Sequence, residues 1–169
     1  MNPLFVDVSD LLRSIGSEKR IKKTVELAPF KYYQKELSFV EPLDVDIVLR
    51  NVGNRLLAKG CIKGKIWLEC NRCLKLFSAD FYLNIEESFC TPEQRRNEEE
   101  AFEIIDKRID LYSLIDQGLL LWLPMKQLCR VDCKGLCSMC GKNLNEGSCN
   151  CQKDEIDPRL RTLKDFFKK

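Results

Sequence analysis

Eight of the ten cysteines in this chain fall into four short pairs: Cys70-x2-Cys73, Cys129-x3-Cys133, Cys137-x2-Cys140 and Cys149-x-Cys151. A C-x2-C turn points two thiols the same way, so each pair offers half of a tetrahedral all-sulfur metal site. Four pairs make two complete sites. The six cysteines between 129 and 151 are therefore one site and a half, and the missing half is the distant CNRC at 70–73.

Which pairs combine is a separate question. Cys137 and Cys140, followed by Gly141 and Lys142, have the form of a zinc knuckle, and the nearest remaining pair is Cys149 and Cys151 across the polar stretch NLNEGS. These four are assigned to a local site. Cys129 and Cys133 then close on Cys70 and Cys73. An interleaved arrangement, with Cys133 joining the local site, satisfies the same spacings and stays open. Zinc is expected at both sites, because the short pairs lack a ferredoxin spacing. Cys61 and Cys90 are left over and are read as small core residues.

Composition narrows the chemistry further. The chain has 169 residues and no histidine, which removes the commonest general base and every Cys-His, Ser-His or His-metal catalytic arrangement. No catalytic residue and no small-molecule substrate are expected; the chain is read as non-enzymatic. Formal net charge is +2, from 28 Lys and Arg against 26 Asp and Glu. Eight thiolates on two Zn²⁺ add eight negative and four positive charges, taking that figure to −2, so only local patches could meet nucleic acid. Residues 13–35 hold seven basic and two acidic side chains, 93–116 eight acidic and four basic, and 126–169 ten basic and six acidic. No apolar run approaches the roughly 20 residues of a membrane span. The first twenty residues lack the apolar core of a signal peptide. A reducing cytoplasm is the expected location, and there dense cysteine pairs point to metal before disulfides.

The elements that must position these sulfurs can be read from periodicity. Val45, Ile47 and Leu49 alternate with polar residues, as a half-buried strand does. NVGN at 51–54 marks a turn. The even positions from Leu56 to Cys70 then form one long strand interrupted by Gly60 and Gly64, which could permit a bulge or bend. The odd positions Phe77 to Ile85 form another, so CNRC sits at a hairpin tip. A thioredoxin-type role is disfavoured there, since no helix N-terminus follows to stabilise a thiolate. Asp110 is a good N-cap for a helix with Leu111, Leu114, Ile115, Leu119 and Trp122 on one face, stopped by Pro124. Upstream, a short strand at 3–8, a helix around Asp10 to Ile15 and a basic connector are expected. The fold class is α+β: an antiparallel sheet with a packed helix and a C-terminal cysteine-rich zinc module. Residues 1–128 are read as the core domain, with an acidic mobile loop at about 91–101. Residues 129–169 are read as the zinc module, ending in a short helix that has Pro158 in its first turn.

Four segments in this order, CNRCL, DLYSLIDQGLLLWLP, DCKGLCSMCGKNLN and DPRLRTLKDF, resemble the YceD family of large ribosomal RNA subunit accumulation proteins. The resemblance covers roughly residues 40–169. It implies a factor for accumulation of 23S ribosomal RNA and assembly of the large ribosomal subunit. The implied partners are that RNA or its precursor, a large-subunit ribosomal protein, or both. Some members of the family keep the CxRC pair with a His and a Cys after the helix but lack the later cluster. That favours the partition above, with the second site an addition to a common core. Candidate phosphate contacts are Arg72, Lys75, Arg130, Lys134 and Lys142, with Arg159, Arg161 and Lys164 beyond them. The alternative is a zinc-stapled adaptor whose acidic 93–116 segment docks a ribosomal protein without touching RNA.

Overall fold

Alternation governs the backbone in the computed structural model, which describes residues 4–32, 35–93 and 101–151. In chain order the elements are β1 (Phe5–Asp7), α1 (Ser9–Arg13), β2 (Glu18–Val25), β3 (Phe30–Tyr32), β4 (Lys35–Leu37), β5 (Leu43–Asn51), β6 (Leu56–Glu69), β7 (Leu76–Cys90), β8 (Phe102–Glu103), β9 (Arg108–Asp110) and α2 (Leu111–Trp122). Five strands make the main sheet in the order β2-β5-β6-β7-β8; β1 with β9 and β3 with β4 form two small ones.

Leu43, Val45, Ile47 and Leu49 of β5 and Leu56, Ala58, Ile62, Ile66 and Leu68 of β6 are buried on one face, together with Phe81, Leu83 and Ile85 of β7. A period of two puts all of them on the same side only if the register never slips. It does not: Asp44 faces Lys63 and Asn51 faces Leu56, while Leu56 faces Phe89 and Glu69 faces Leu76, with every step between in phase. The glycines of β6 therefore make no bulge. They admit close neighbours instead. A Cβ on Gly60 would lie 2.1 Å from the Asp46 carbonyl oxygen and 2.7 Å from Ile47 Cα, and one on Gly64 would lie 2.4 Å from Leu43 Cδ2.

Helix α2 lies against the buried face. Asp110 caps it: Oδ1 accepts the Tyr112 N–H at 2.9 Å and the Leu4 N–H at 3.1 Å, and Oδ2 accepts the Ser113 hydroxyl at 2.9 Å. Leu111, Leu114, Ile115 and Leu119 are buried, and Gly118 brings the helix within a methyl group of Leu83. Trp122 is partly buried and packs at the edge of Phe81, ring centres 5.6 Å apart. Because one carboxylate serves both the helix start and the N-terminal strand, Asp110→Ala is expected to destabilise the fold by about 1–2 kcal/mol. Urea unfolding of the variant checks this; a loss no larger than that of a surface substitution would contradict it.

Three expectations are corrected. The basic connector is β2, an edge strand paired with β5 from Glu18↔Arg50 to Val25↔Leu43. Its alternation is concealed because Lys19 and Lys23 take inward positions beside Ile21 and Val25. Both are half-buried there, and Lys19 Nζ reaches the Asp7 carbonyl at 2.8 Å. The sheet is mixed, not wholly antiparallel, since β8 runs parallel to β7. Cys61 is no core residue: it is half-buried on the outward face of β6, beside Tyr82. Cys90 is buried. Most of the 91–101 stretch, and all of the chain after Cys151, lie outside the described residues, and with them the expected acidic loop and terminal helix. No helix among the described residues is long and apolar enough to cross a membrane.

Candidate metal centres

The β6–β7 hairpin tip and the later C-x2-C are one turn built twice. In CNRCLK the Cys70 N–H donates to the Lys75 carbonyl at 3.0 Å and the Leu74 N–H to the Cys70 carbonyl at 2.9 Å. In CSMCGK the Cys137 N–H donates to the Lys142 carbonyl at 2.8 Å and the Gly141 N–H to the Cys137 carbonyl at 2.9 Å. The residue after the second cysteine is left-handed in both, Leu74 at φ 58° and Gly141 at φ 72°. Glycine adopts that conformation freely, whereas leucine gives up about 1 kcal/mol to do so. Curling the chain this way leaves main-chain N–H groups pointing at the sulfurs.

The four sulfurs of Cys70, Cys73, Cys129 and Cys133 lie within 4.8 Å of one another. Cys70 Sγ is 3.8 Å from Cys133 Sγ, and Cys73 Sγ is 3.7 Å from Cys129 Sγ. Those separations are far beyond the roughly 2.05 Å of a disulfide. They match the edge, about 3.8 Å, of a tetrahedron whose corners stand about 2.3 Å from a central ion. Cys137, Cys140, Cys149 and Cys151 form a second group within the same 4.8 Å limit. The structure thus groups the sulfurs as hairpin centre and C-terminal centre, with Cys133 in the former, and does not interleave them.

Packing distinguishes the two. Cys70, Cys73 and Cys133 are buried and form a small core of their own with Phe77, Leu128, Cys129 and Leu136. In the C-terminal centre Cys137 is buried, Cys140 exposed, and Cys149 and Cys151 are half-buried.

Electrostatics within each group bears on what it could hold. Burial pushes the Cys70 thiol up, but main-chain N–H groups of Cys129, Cys73 and Arg72 outweigh it and bring it down to about 6. Burial and the neighbouring thiols Cys73, Cys133 and Cys70 push Cys129 up to about 12. The same split recurs at the other centre. N–H groups of Cys140 and Met139 lower Cys137 to about 6, whereas the Cys140 thiol, burial and Cys137 raise Cys151 to about 12. Each centre readily forms its first thiolate and resists its last, since four negative charges cannot share so small a volume. A divalent cation at the middle removes that conflict. The all-sulfur donor set suits a soft or borderline metal.

Loops around the hairpin tip grip it. The Arg72 guanidinium donates to the carbonyls of Cys133 at 2.8 Å and Val131 at 3.4 Å, and the Arg72 carbonyl accepts the Leu136 N–H at 3.0 Å. Gly135, at φ 74°, lies so close that a Cβ there would be 3.0 Å from the Arg72 carbonyl oxygen. Arg130 donates to Asn145 Oδ1 at 2.7 Å and pairs with Asp132 at 3.5 Å, and Lys142 Nζ donates to the Ser148 carbonyl at 2.7 Å. Three of the five basic residues singled out as phosphate contacts thus bind the loops of the two centres through their charged heads. Lys75 and Lys134 enter this bonding through their main chains. Within the acidic 93–116 segment, Asp110 caps α2 and Asp116 lies on it, half-buried. Asn145 went unnoticed in the sequence, where NLNEGS reads only as a polar linker. Its Asn-x-Asn spacing is the one local sign of the turn in which the Asn145 N–H donates to Asn143 Oδ1 at 3.1 Å.

Comparison with known proteins adds what geometry cannot. A family model described as large ribosomal RNA subunit accumulation protein YceD matches residues 58–167, from β6 through both centres. The chain is 29% identical over 168 residues to a protein of Mycobacterium tuberculosis, a match spanning 96% of this chain and 80% of that one. It is 25% identical over 148 residues to YlbN of Bacillus subtilis, 86% of each chain. A 68-residue stretch, 40% of this chain, is 38% identical to the chloroplastic large ribosomal RNA subunit accumulation protein YCED homolog 1 of Zea mays, covering 23% of that protein. No solved structure matches.

Proposed function

The chain belongs to the YceD family of large ribosomal RNA subunit accumulation proteins, and from that premise we propose that it is a non-catalytic factor for accumulation of 23S ribosomal RNA. The family match over residues 58–167 carries this reading. The name borne by the plant relatives supports it. Both cysteine centres are proposed to hold structural Zn²⁺. Four thiolates fill a tetrahedral shell, which leaves no open position for a substrate or an activated water. The metals would fix a pole of the molecule built from the hairpin tip and the loops at 129–151. Arg72, Lys75, Arg130, Lys134 and Lys142 at that pole are the proposed contacts to ribosomal RNA or its precursor in the cytoplasm. No observation favours docking of a ribosomal protein through the acidic segment.

Disrupting the gene in its own organism tests the reading. The ratio of 23S to 16S ribosomal RNA should fall, and the intact gene should restore it; an unchanged ratio would overturn the proposal. Direct binding to RNA has its own check, because Lys75→Gln with Lys134→Gln leaves the charged heads that hold the loops in place. Each phosphate no longer neutralised by a lysine should flatten the slope of log affinity against log salt by about 0.7–0.9. An unaltered slope would remove these two lysines from the interface.

A further inference from the structure

Several contacts join the loops of the two centres, and among them one side chain reaches a sulfur. Asn145 belongs to the loop that closes the C-terminal centre between Cys140 and Cys149, yet its side chain serves the hairpin centre. Nδ2 donates to Cys133 Sγ at 3.4 Å. Oδ1 accepts the Lys134 N–H at 2.9 Å and the Arg130 guanidinium at 2.7 Å. It therefore binds one sulfur of the hairpin centre and holds the loop that supplies two of that centre's four thiols. Around it the closing loop is tightly tied. Asn143 Oδ1 accepts from Asn145 Nδ2 at 2.7 Å, the Leu144 N–H donates to the Gly135 carbonyl at 2.9 Å, and Leu136 and Asn143 form a β-bridge.

The far end of that loop has weaker anchors. Cys149 and Cys151 are half-buried, outside both apolar clusters of the protein, and Cys140 is exposed. Joining their sulfurs to Cys137 through a metal fixes the loop at both ends. An N–H donated to a metal-bound thiolate draws charge from it and orients it, and such outer partners commonly govern metal retention.

We propose that the two centres bind metal cooperatively, with Asn145 as the positioning residue that carries the coupling from the C-terminal centre to the hairpin centre. The proposal rests on the reading of both clusters as zinc sites. Linkage makes the coupling reciprocal, so a filled hairpin centre equally favours filling of the other.

The test uses the full chain, reduced and stripped of metal, then loaded with Co²⁺ or Zn²⁺. Sulfur-to-cobalt charge-transfer absorption reports thiolate coordination, and transfer of zinc to a chelator reports retention. Wild type should take up two ions. Opening the C-terminal centre with Cys151→Ser should weaken retention at the hairpin centre roughly 10–100-fold, and Asn145→Asp should do the same with the C-terminal centre intact. Asn145→Asp keeps the oxygen that accepts from Lys134 and Arg130 but replaces the N–H donor to Cys133 with a second, charged oxygen, so circular dichroism should show an unchanged sheet. In an Asn145→Ala background, adding Cys151→Ser should weaken the hairpin centre markedly less than it does in the wild-type chain. Equal retention in Cys151→Ser and wild type would overturn the coupling, as would an undiminished effect of Cys151→Ser in the Asn145→Ala background. A wild-type chain that takes up fewer than two ions would overturn the two-centre reading, and the coupling with it.

Discussion

Replacing Cys73 with serine is expected to reduce bound metal from two ions to one and to destabilise the whole fold, whereas Cys140→Ser should lose one ion with a much smaller effect. The difference follows from what each centre ties together. Cys73 and Cys129 are 56 residues apart in sequence, and Cys70 and Cys133 are 63 apart. A cross-link over such a distance removes about 4 kcal/mol of conformational freedom from the unfolded chain, against about 3 kcal/mol for the nine-residue span from Cys140 to Cys149. Burial widens the gap. Cys70, Cys73 and Cys133 lie in an apolar pocket, so an open centre strands thiols away from water, while Cys140 already faces solvent. Elemental analysis and urea unfolding of the two variants measure both effects. Equal losses of stability, or two ions retained by the Cys73 variant, would refute the view of the hairpin centre as the clasp between sheet and C-terminal loops.

The second large effect needs no metal. Gly60→Val should cost about 3 kcal/mol or more, a sizeable share of the roughly 5–15 kcal/mol that holds a domain together. The added carbon meets main chain, the Asp46 carbonyl oxygen and Ile47 Cα, so β5 must separate from β6 at the centre of the sheet. Gly64→Ala provides the contrast. Its new methyl would press on the side chains of Leu43 and Phe81, which can rotate, and about 1–3 kcal/mol is expected. Thermal melts of both variants decide the matter, and a Gly60 variant as stable as the Gly64 one would contradict the close approach of the two strands.

How far these features could be read beforehand depends on whether their cause is local. Periodicity of two runs through β5, β6 and β7 as far as Ile85, so the central sheet and the place of CNRC at its tip were legible. So was the cap at Asp110, an acidic residue directly before a helical apolar face. The grouping of the sulfurs is the one that short spacing suggested, although spacing alone left Cys133 open. Strand β2 was hidden because an edge strand tolerates lysine at inward positions. Cys61 was misplaced because a small thiol suits either face; the even–odd phase of β6, which puts Gly60 and Ile62 inward, was the better guide. Neither the parallel pairing of β8 nor the reach of Asn145 has a local cause, and both arise only once distant segments meet. Leu74 is the reverse case. Its left-handed turn contradicts its own preference and is imposed by the knuckle around it.

The long span between the two halves of the hairpin centre also orders events in time. Strands β5, β6 and β7 are joined by short turns and pair with their sequence neighbours, so they can assemble as soon as Cys90 has been synthesised. Cys133 is added 43 residues after Cys90, which at about 5–20 residues per second is a delay of roughly 2–9 s. For that interval the nascent sheet carries a bare dithiol at its tip, open to oxidants and to competing thiophilic ions. If the hairpin centre holds zinc as proposed, the metal and redox conditions met during synthesis decide whether it closes as a clasp or its thiols are already spent.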